Sequence, residues 1–151
     1  MNYVLDTNII LLYLKDHPTK TLIEETYGPF QPENNPIISI VTVAEIRSIA
    51  AKNNWGEKRI KIVEEFMNEL IVVEIRFNDL INAYAEIDAF SQGKHKDRPL
   101  KVTARNMGKN DLWIAATAHV TQSKLITTDR DFEHFAGEYF EVIIIDRHAK
   151  D

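Results

Sequence analysis

The chain of 151 residues contains no cysteine. That excludes disulfide cross-links and thiolate metal sites, and it agrees with a reducing cytosol. Glycine is also scarce. Gly28, Gly56, Gly93, Gly108 and Gly137 are scattered singly, so no glycine-rich loop is available to cradle nucleotide phosphates. No hydrophobic run is long: the stretch from Ile9 to Leu14 is too short to span a bilayer, and no basic region precedes it as in a secretory leader. A cytoplasmic protein without a membrane partner is the expectation. Positive charge is in deficit, with 18 Lys and Arg against 23 Asp and Glu and a net charge of −5, which argues against a general nucleic-acid-binding surface. The histidines, His17, His95, His119, His134 and His148, share no ligand spacing, and no Ser/His/Asp pattern points to zinc or acyl-transfer chemistry.

What is present suits a folded domain. A 44% hydrophobic and 27% charged composition is that of a globular protein. The length matches one domain, read as 1–151, able to bury roughly 70% of its unfolded surface. Short apolar runs with strand character occur at 2–6, 37–41, 71–75, 124–127 and 142–145. Helical spacing lies between them, at 7–14 with Thr7 as N-cap, 19–27, 42–53, 57–70, 77–91 and 110–120, with a short helix near 131–135. Strands alternating with helices predict an α/β fold with a mainly parallel sheet covered on both faces.

Four carboxylates fall where such a sheet opens its binding crevice, at strand ends or helix starts: Asp6, Glu45, Asp111 and Asp129. Each has an ordinary structural explanation. Thr42 and Glu45 match a capping box. Asn110 or Asp111 could cap the following helix, and Asp129 and Asp131 could favour a first helical turn. Asp6 is harder to explain in that way, because an unpaired carboxylate at the end of a buried strand is costly. All four together favour a shared site, and four like charges in one place call for a hard divalent cation.

The ordered set resembles the PIN-domain ribonucleases, particularly the VapC-type toxins of toxin–antitoxin pairs. The matching segments are Asp6-Thr7-Asn8, Glu45, Asn110-Asp111-Leu112-Trp113-Ile114-Ala115-Ala116 and Thr128-Asp129-Arg130-Asp131-Phe132, together spanning nearly the whole chain. The resemblance implies a PIN-like three-layer α/β/α fold and a Mg²⁺- or Mn²⁺-dependent endoribonuclease. Asp6, Glu45, Asp111 and Asp129 would form its acidic quartet. Asp6, Asp111 and Asp129 would be the metal ligands, with Thr7, Asn110, Thr128 and Asp131 as supporting groups. It also implies products with a 5′-phosphate and a 3′-hydroxyl, a homodimer, and a VapB-type antitoxin. The apolar helices at 57–70 and 77–91 offer a groove for an antitoxin helix, or are ordinary core helices.

Single-stranded or looped RNA, such as a tRNA or rRNA loop, suits a crevice better than a rigid duplex does. A basic segment runs directly into Asp111 and supplies Lys94, Lys96, Arg98, Lys101 and Arg105 as candidates for RNA backbone contacts. A solvated loop would look the same. Two rival readings remain. One is a non-catalytic PIN-like module that binds RNA or protein. The other is a Mg²⁺-binding phosphoacceptor receiver domain, whose plan of paired early acids and a late lysine fits Glu45 and the Asn110-Asp111 helix start poorly.

Overall fold

The computed structural model describes residues 1–147; His148 lies outside the described residues. Five strands, β1 (Asn2–Leu5), β2 (Asn35–Ser39), β3 (Ile71–Val73), β4 (Lys124–Thr127) and β5 (Val142–Ile144), form one sheet in the order β3-β2-β1-β4-β5. Every pairing is parallel, so all carboxyl ends lie along one edge of the sheet. The central strand β1 is the switch point: the chain first builds outward through β2 and β3, then returns to add β4 and β5 on the other side. Crevices open at such reversals, between the carboxyl ends of the two strands that flank them.

Six helices cover the sheet: α1 (Thr7–Leu14), α2 (Pro18–Thr26), α3 (Ile40–Lys52), α4 (Glu57–Met67), α5 (Asn78–Ser91) and α6 (Lys109–Val120), with a 3-10 turn at Arg130–Phe135. Strand side chains alternate between two cores, as a period of two requires. Val4, Ile37 and Leu125 face Leu80, Ile87 and Phe90 of α5, Leu112 of α6, and Phe132 and Phe135. Leu5, Ile38 and Ile126 face Ile9 and Ile10 of α1, Ile23 of α2, Ile46 of α3, and Val63 and Phe66 of α4. The three-layer α/β/α expectation is met. Of the two readings of the helices at 57–70 and 77–91, the ordinary core helices hold and a groove between them does not, because α4 and α5 pack on opposite faces of the sheet.

Several local expectations are corrected. Asp6, not Thr7, is the N-cap of α1. The second strand starts earlier, at Asn35, and includes Pro36, which is tolerated near a strand's beginning. The following helix also starts earlier. Ser39 is its N-cap, its hydroxyl accepting from the Val41 amide at 3.2 Å, so the β-branched pair Ile40-Val41 that reads as strand is the first helical turn. The Thr42–Glu45 capping box is thereby overturned, since both residues lie inside the helix. Neither Asn110 nor Asp111 caps α6; Gly108 occupies that position, leaving Asp111 in the first turn. Trp113 packs against Tyr84 with ring centres 4.2 Å apart.

Candidate functional site: an acidic crevice at the strand ends

Asp6 follows β1 directly and is 5% exposed. Its backbone N–H still continues the sheet by donating to Ile126 O at 3.0 Å, which fixes the residue at the mouth of the crevice. Both side-chain oxygens are held. The Thr7 amide donates to Oδ1 at 2.7 Å, and the Thr127 hydroxyl donates to Oδ2 at 2.7 Å. Burial pushes the Asp6 carboxyl above its ordinary range; the two hydrogen bonds oppose that rise, and the Asp129 charge adds to it.

Glu45 reaches the crevice from α3. Its Oε1 lies 3.2 Å from the Thr7 hydroxyl, which is itself 3.2 Å from the hydroxyl of fully buried Thr42. Burial raises the Glu45 carboxyl, Thr7 lowers it, and Asp6 raises it. Asp111 enters from the first turn of α6, half-buried, and is pushed up to about 6. Burial is the main cause, followed by the charges of Asp6, Asp129, Glu45 and Asp131. These four charges are all negative. Desolvation with like-charge crowding is a known mark of functional sites.

Asp129 closes the crevice as the N-cap of the 3-10 turn, its Oδ1 accepting from the Asp131 amide at 2.8 Å. Its own amide donates to Thr127 Oγ1 at 3.0 Å. Thr127 is thus the hydroxyl that ties Asp6 to Asp129. The sequence reading selected its neighbour, Thr128, which instead lines a separate depression with Ile144, Ile145 and Arg147. Alternation along β4 could not choose between them, because both faces of that strand are buried. Asn110 shares a shallow depression with Glu45 and Lys52 at the edge of the crevice. Asp131 is exposed and paired with Arg105 at 2.9 Å, forming a charged rim.

The basic segment divides in two. Lys94, Lys96 and Lys101 are exposed. Arg98 is anchored instead: its Nη1 donates to Glu138 O at 2.8 Å, and its guanidinium lies 4.7 Å from the Tyr139 ring centre. Gly93 turns the chain out of α5 at φ 71°, and the Lys94 amide returns to Ala89 O at 2.8 Å, a left-handed helix ending that glycine adopts without strain.

Thr127 offers a direct test of this bracing. Replacing it by the isosteric valine leaves Asp6 Oδ2 and the Asp129 amide without their partner. The expected cost is about 2 kcal/mol, read as a fall in Tm of about 6 °C. The change also removes the donor that holds the Asp6 carboxyl down, so half-maximal Mn²⁺ binding should need a higher pH. An unchanged Tm and an unchanged pH dependence of Mn²⁺ binding would exclude the bracing role.

Parallel strands, a switch-point crevice and acids from four separate elements define an α/β domain built around an acidic centre. The PIN domain family matches residues 3–138. Ribonuclease VapC1 of Haemophilus influenzae strain R2866 is 32% identical over 127 residues, covering 84% of this chain and 86% of that protein. Ribonuclease VapC2 of strain KW20 is 28% identical over 134 residues, covering 88% and 91%. Among solved structures, VapBC-1 from nontypeable H. influenzae aligns with a TM-score of 0.72 at 26% identity over 95% of this chain and 98% of that one. VapBC2 from Rickettsia felis, bound to a promoter DNA fragment, gives a TM-score of 0.76 at 22% identity over 97% and 100%. The chain belongs to the PIN domain family, with VapC ribonucleases among its relatives.

Proposed function

We propose that this protein is a metal-dependent endoribonuclease, the toxin of a type II toxin–antitoxin pair, acting on single-stranded or looped RNA. The observation that carries the reading is the convergence of the Asp6, Asp129, Glu45 and Asp131 charges on Asp111 at the switch-point crevice. The ribonuclease names of the curated relatives support the substrate class.

The donor set fits Mg²⁺ or Mn²⁺. It consists of hard carboxylate oxygens, and Asp6 in particular is buried with no cationic partner among the described residues. Among the described residues no three acidic or imidazole groups close into a ready cage. An open arrangement of that kind suits an ion that retains several of its waters. Asp6 and Asp111 would be the primary ligands, with Asp129 beside them. When bound, the ion supplies Lewis acidity to a phosphate oxygen and lowers the pKa of water.

The chain's own groups do the rest. The Thr7 and Thr127 hydroxyls hold Glu45 and Asp6 in fixed orientations. Glu45, raised by burial, is suited to take the proton of the attacking water on its second oxygen, Oε2. Water oxygen would then bond to phosphorus as the bond to the 3′ oxygen breaks, and the leaving 3′ oxygen would take a proton from solvent, giving a 5′-phosphate and a 3′-hydroxyl. Lys94, Lys96 and Lys101 would meet the RNA backbone. Arg98 is better explained as the anchor of the segment that carries them.

For the antitoxin, the groove between α3 and α4 is the better candidate. Val43, Ile46, Ala50, Ile60, Val63 and Met67 line it, with Arg47 and Glu64 also in its wall. Those features suit an amphipathic helix. The VapBC structures similar to this chain support such a partner, as they support a cognate VapB-type antitoxin in general.

Glu45→Gln tests the reading. With the capping box removed as an explanation, the residue's place beside Thr7 and Asp6 leaves a role in the site. Cleavage of a labelled single-stranded RNA in Mn²⁺ should fall by about 100-fold or more, the usual contribution of a general base. The metal-free Tm should hold, because the amide can keep the Thr7 hydrogen bond. Wild-type cleavage by Glu45→Gln would remove Glu45 from the mechanism, and an inactive wild type would remove the ribonuclease reading itself.

A further inference from the structure

Outside the acidic crevice, one buried polar cluster has no evident use in the fold. Ser91, the last residue of α5, is fully buried, and His134 belongs to the 3-10 turn. Both are spent on one residue of the basic segment. The Arg105 amide donates to Ser91 O at 2.7 Å, and the Ser91 hydroxyl donates back to Arg105 O at 3.0 Å. The hydroxyl has only one proton; with that proton assigned to Arg105 O, the imidazole donates in the 2.9 Å contact between Ser91 Oγ and His134 Nε2, which assigns it the Nε2–H tautomer. Its bare Nδ1 is buried with no hydrogen-bond partner among the described residues, and Phe90 and Phe135 enclose the ring.

Burial, then the Arg105 charge, lowers the His134 pKa; the Asp131 carbonyl, which makes no well-formed hydrogen bond to the ring, and the Asp131 carboxylate oppose the change. A neutral imidazole follows at pH 7. Burying a serine and a half-satisfied histidine among aromatic rings is costly. What the arrangement achieves is a rigid backbone at Arg105: Ser91 grips both its N–H and its C=O, and His134 holds the Ser91 hydroxyl in place. The side chain so held reaches Asp131 on the rim of the acidic crevice.

We propose that Ser91 and His134 are positioning residues that hold Arg105 at the crevice rim to receive a phosphate of the bound RNA, which takes the place of Asp131 on the guanidinium. The inference rests on the ribonuclease reading above. Arg105 touches substrate; Ser91 and His134 act only through it. A planar guanidinium with a fixed base binds phosphate in one orientation, which a flexible lysine on the same loop does not.

The test is a double-mutant cycle on the full-length protein, with a labelled single-stranded RNA and Mn²⁺. Arg105→Gln should raise KM by about ten-fold, as expected for loss of a charge-assisted phosphate contact. Ser91→Ala should raise KM about five-fold with kcat within two-fold of wild type. In the Arg105→Gln background, Ser91→Ala should add nothing. His134→Gln places an amide N–H near the Nε2 position and should restore the wild-type KM, whereas His134→Phe should behave like Ser91→Ala. If Ser91→Ala does not fold, the two His134 variants decide the matter by the same comparison with Arg105→Gln. An unchanged KM in Ser91→Ala, or effects that add in the double variant, would overturn the positioning role while wild-type cleavage leaves the ribonuclease reading intact. Absence of wild-type cleavage would overturn both.

Discussion

Asp6→Asn is expected to abolish Mn²⁺-dependent RNA cleavage while leaving a folded protein. The reason is that the substitution changes charge far more than shape. Asparagine can keep the Thr7 amide bond through its carbonyl oxygen, and its NH₂ can donate to Thr127 Oγ1, whose own proton would be redirected. What is lost is the negative charge buried at the end of β1, between the elements that carry Glu45, Asp111 and Asp129. Removal of a primary ligand should reduce turnover by at least about 1000-fold, several kcal/mol of stabilisation in the transition state. Without metal the Tm should change little or rise, since a carboxyl raised by burial opposes folding in its ionised form. Stabilisation of the wild type by Mn²⁺ follows mass action, and Asp6→Asn should show almost none of it. Normal cleavage by purified Asp6→Asn would remove this residue from the centre of the mechanism.

Asp111 gives a pH effect with a defined midpoint. Its folded pKa is about 6, against an ordinary value of 3.8. A carboxyl whose pKa rises on folding binds protons more readily in the native state, so its ionised form opposes stability above about pH 6. That opposition disappears as pH falls toward the unfolded pKa. In the absence of metal, the Tm of the wild type should therefore rise as pH is lowered from 7.5 to 5.5. Asp6 and Glu45 are shifted in the same direction and should add to the trend, whereas His134, shifted downward, acts against it. Subtracting the Asp111→Asn profile isolates Asp111. That variant should melt higher than wild type at pH 7.5, by about 3 °C or more if the relief reaches 1 kcal/mol. The same change should abolish cleavage, and half-maximal Mn²⁺ binding by the wild type should need more metal as pH drops through about 6, because protons compete with the ion for Asp111. A wild type whose metal-free Tm falls steadily over this range, with Asp111→Asn melting lower, would contradict the crowded-charge account.

Both predictions trace back to patterns visible in the chain itself. Apolar strand runs alternating with helical spacing sufficed for a parallel α/β/α architecture, because the two periodicities follow from local backbone geometry. Asp6, Glu45, Asp111 and Asp129 could be picked out as a set because each sits where a strand ends or a helix begins, and parallel strands place all such points on one edge. The resemblance to PIN-domain ribonucleases rested on the same residues. Local signals failed where two local rules competed. Ile40-Val41 has strand propensity, yet Ser39 caps a helix one residue earlier, and that single cap removes the capping-box explanation for Glu45. Thr127 and Thr128 are equivalent by composition, and only the register of β4 beside β1 decides that Thr127 meets Asp6.

The tertiary structure alone decided which side each helix covers. That placed α4 and α5 on opposite faces and decided between the two readings of them, as core helices and not as the walls of one groove. It also sorted a run of basic residues that look alike in sequence: Arg98 became an anchor through Glu138 and Tyr139, the lysines stayed in solvent, and Arg105 was gripped by Ser91 and turned toward Asp131. No periodicity carries that information, because Ser91, Arg105 and His134 are brought together by contacts between distant elements. Sequence fixes the charge and reach of each side chain, while long-range packing sets its partner and hence its role.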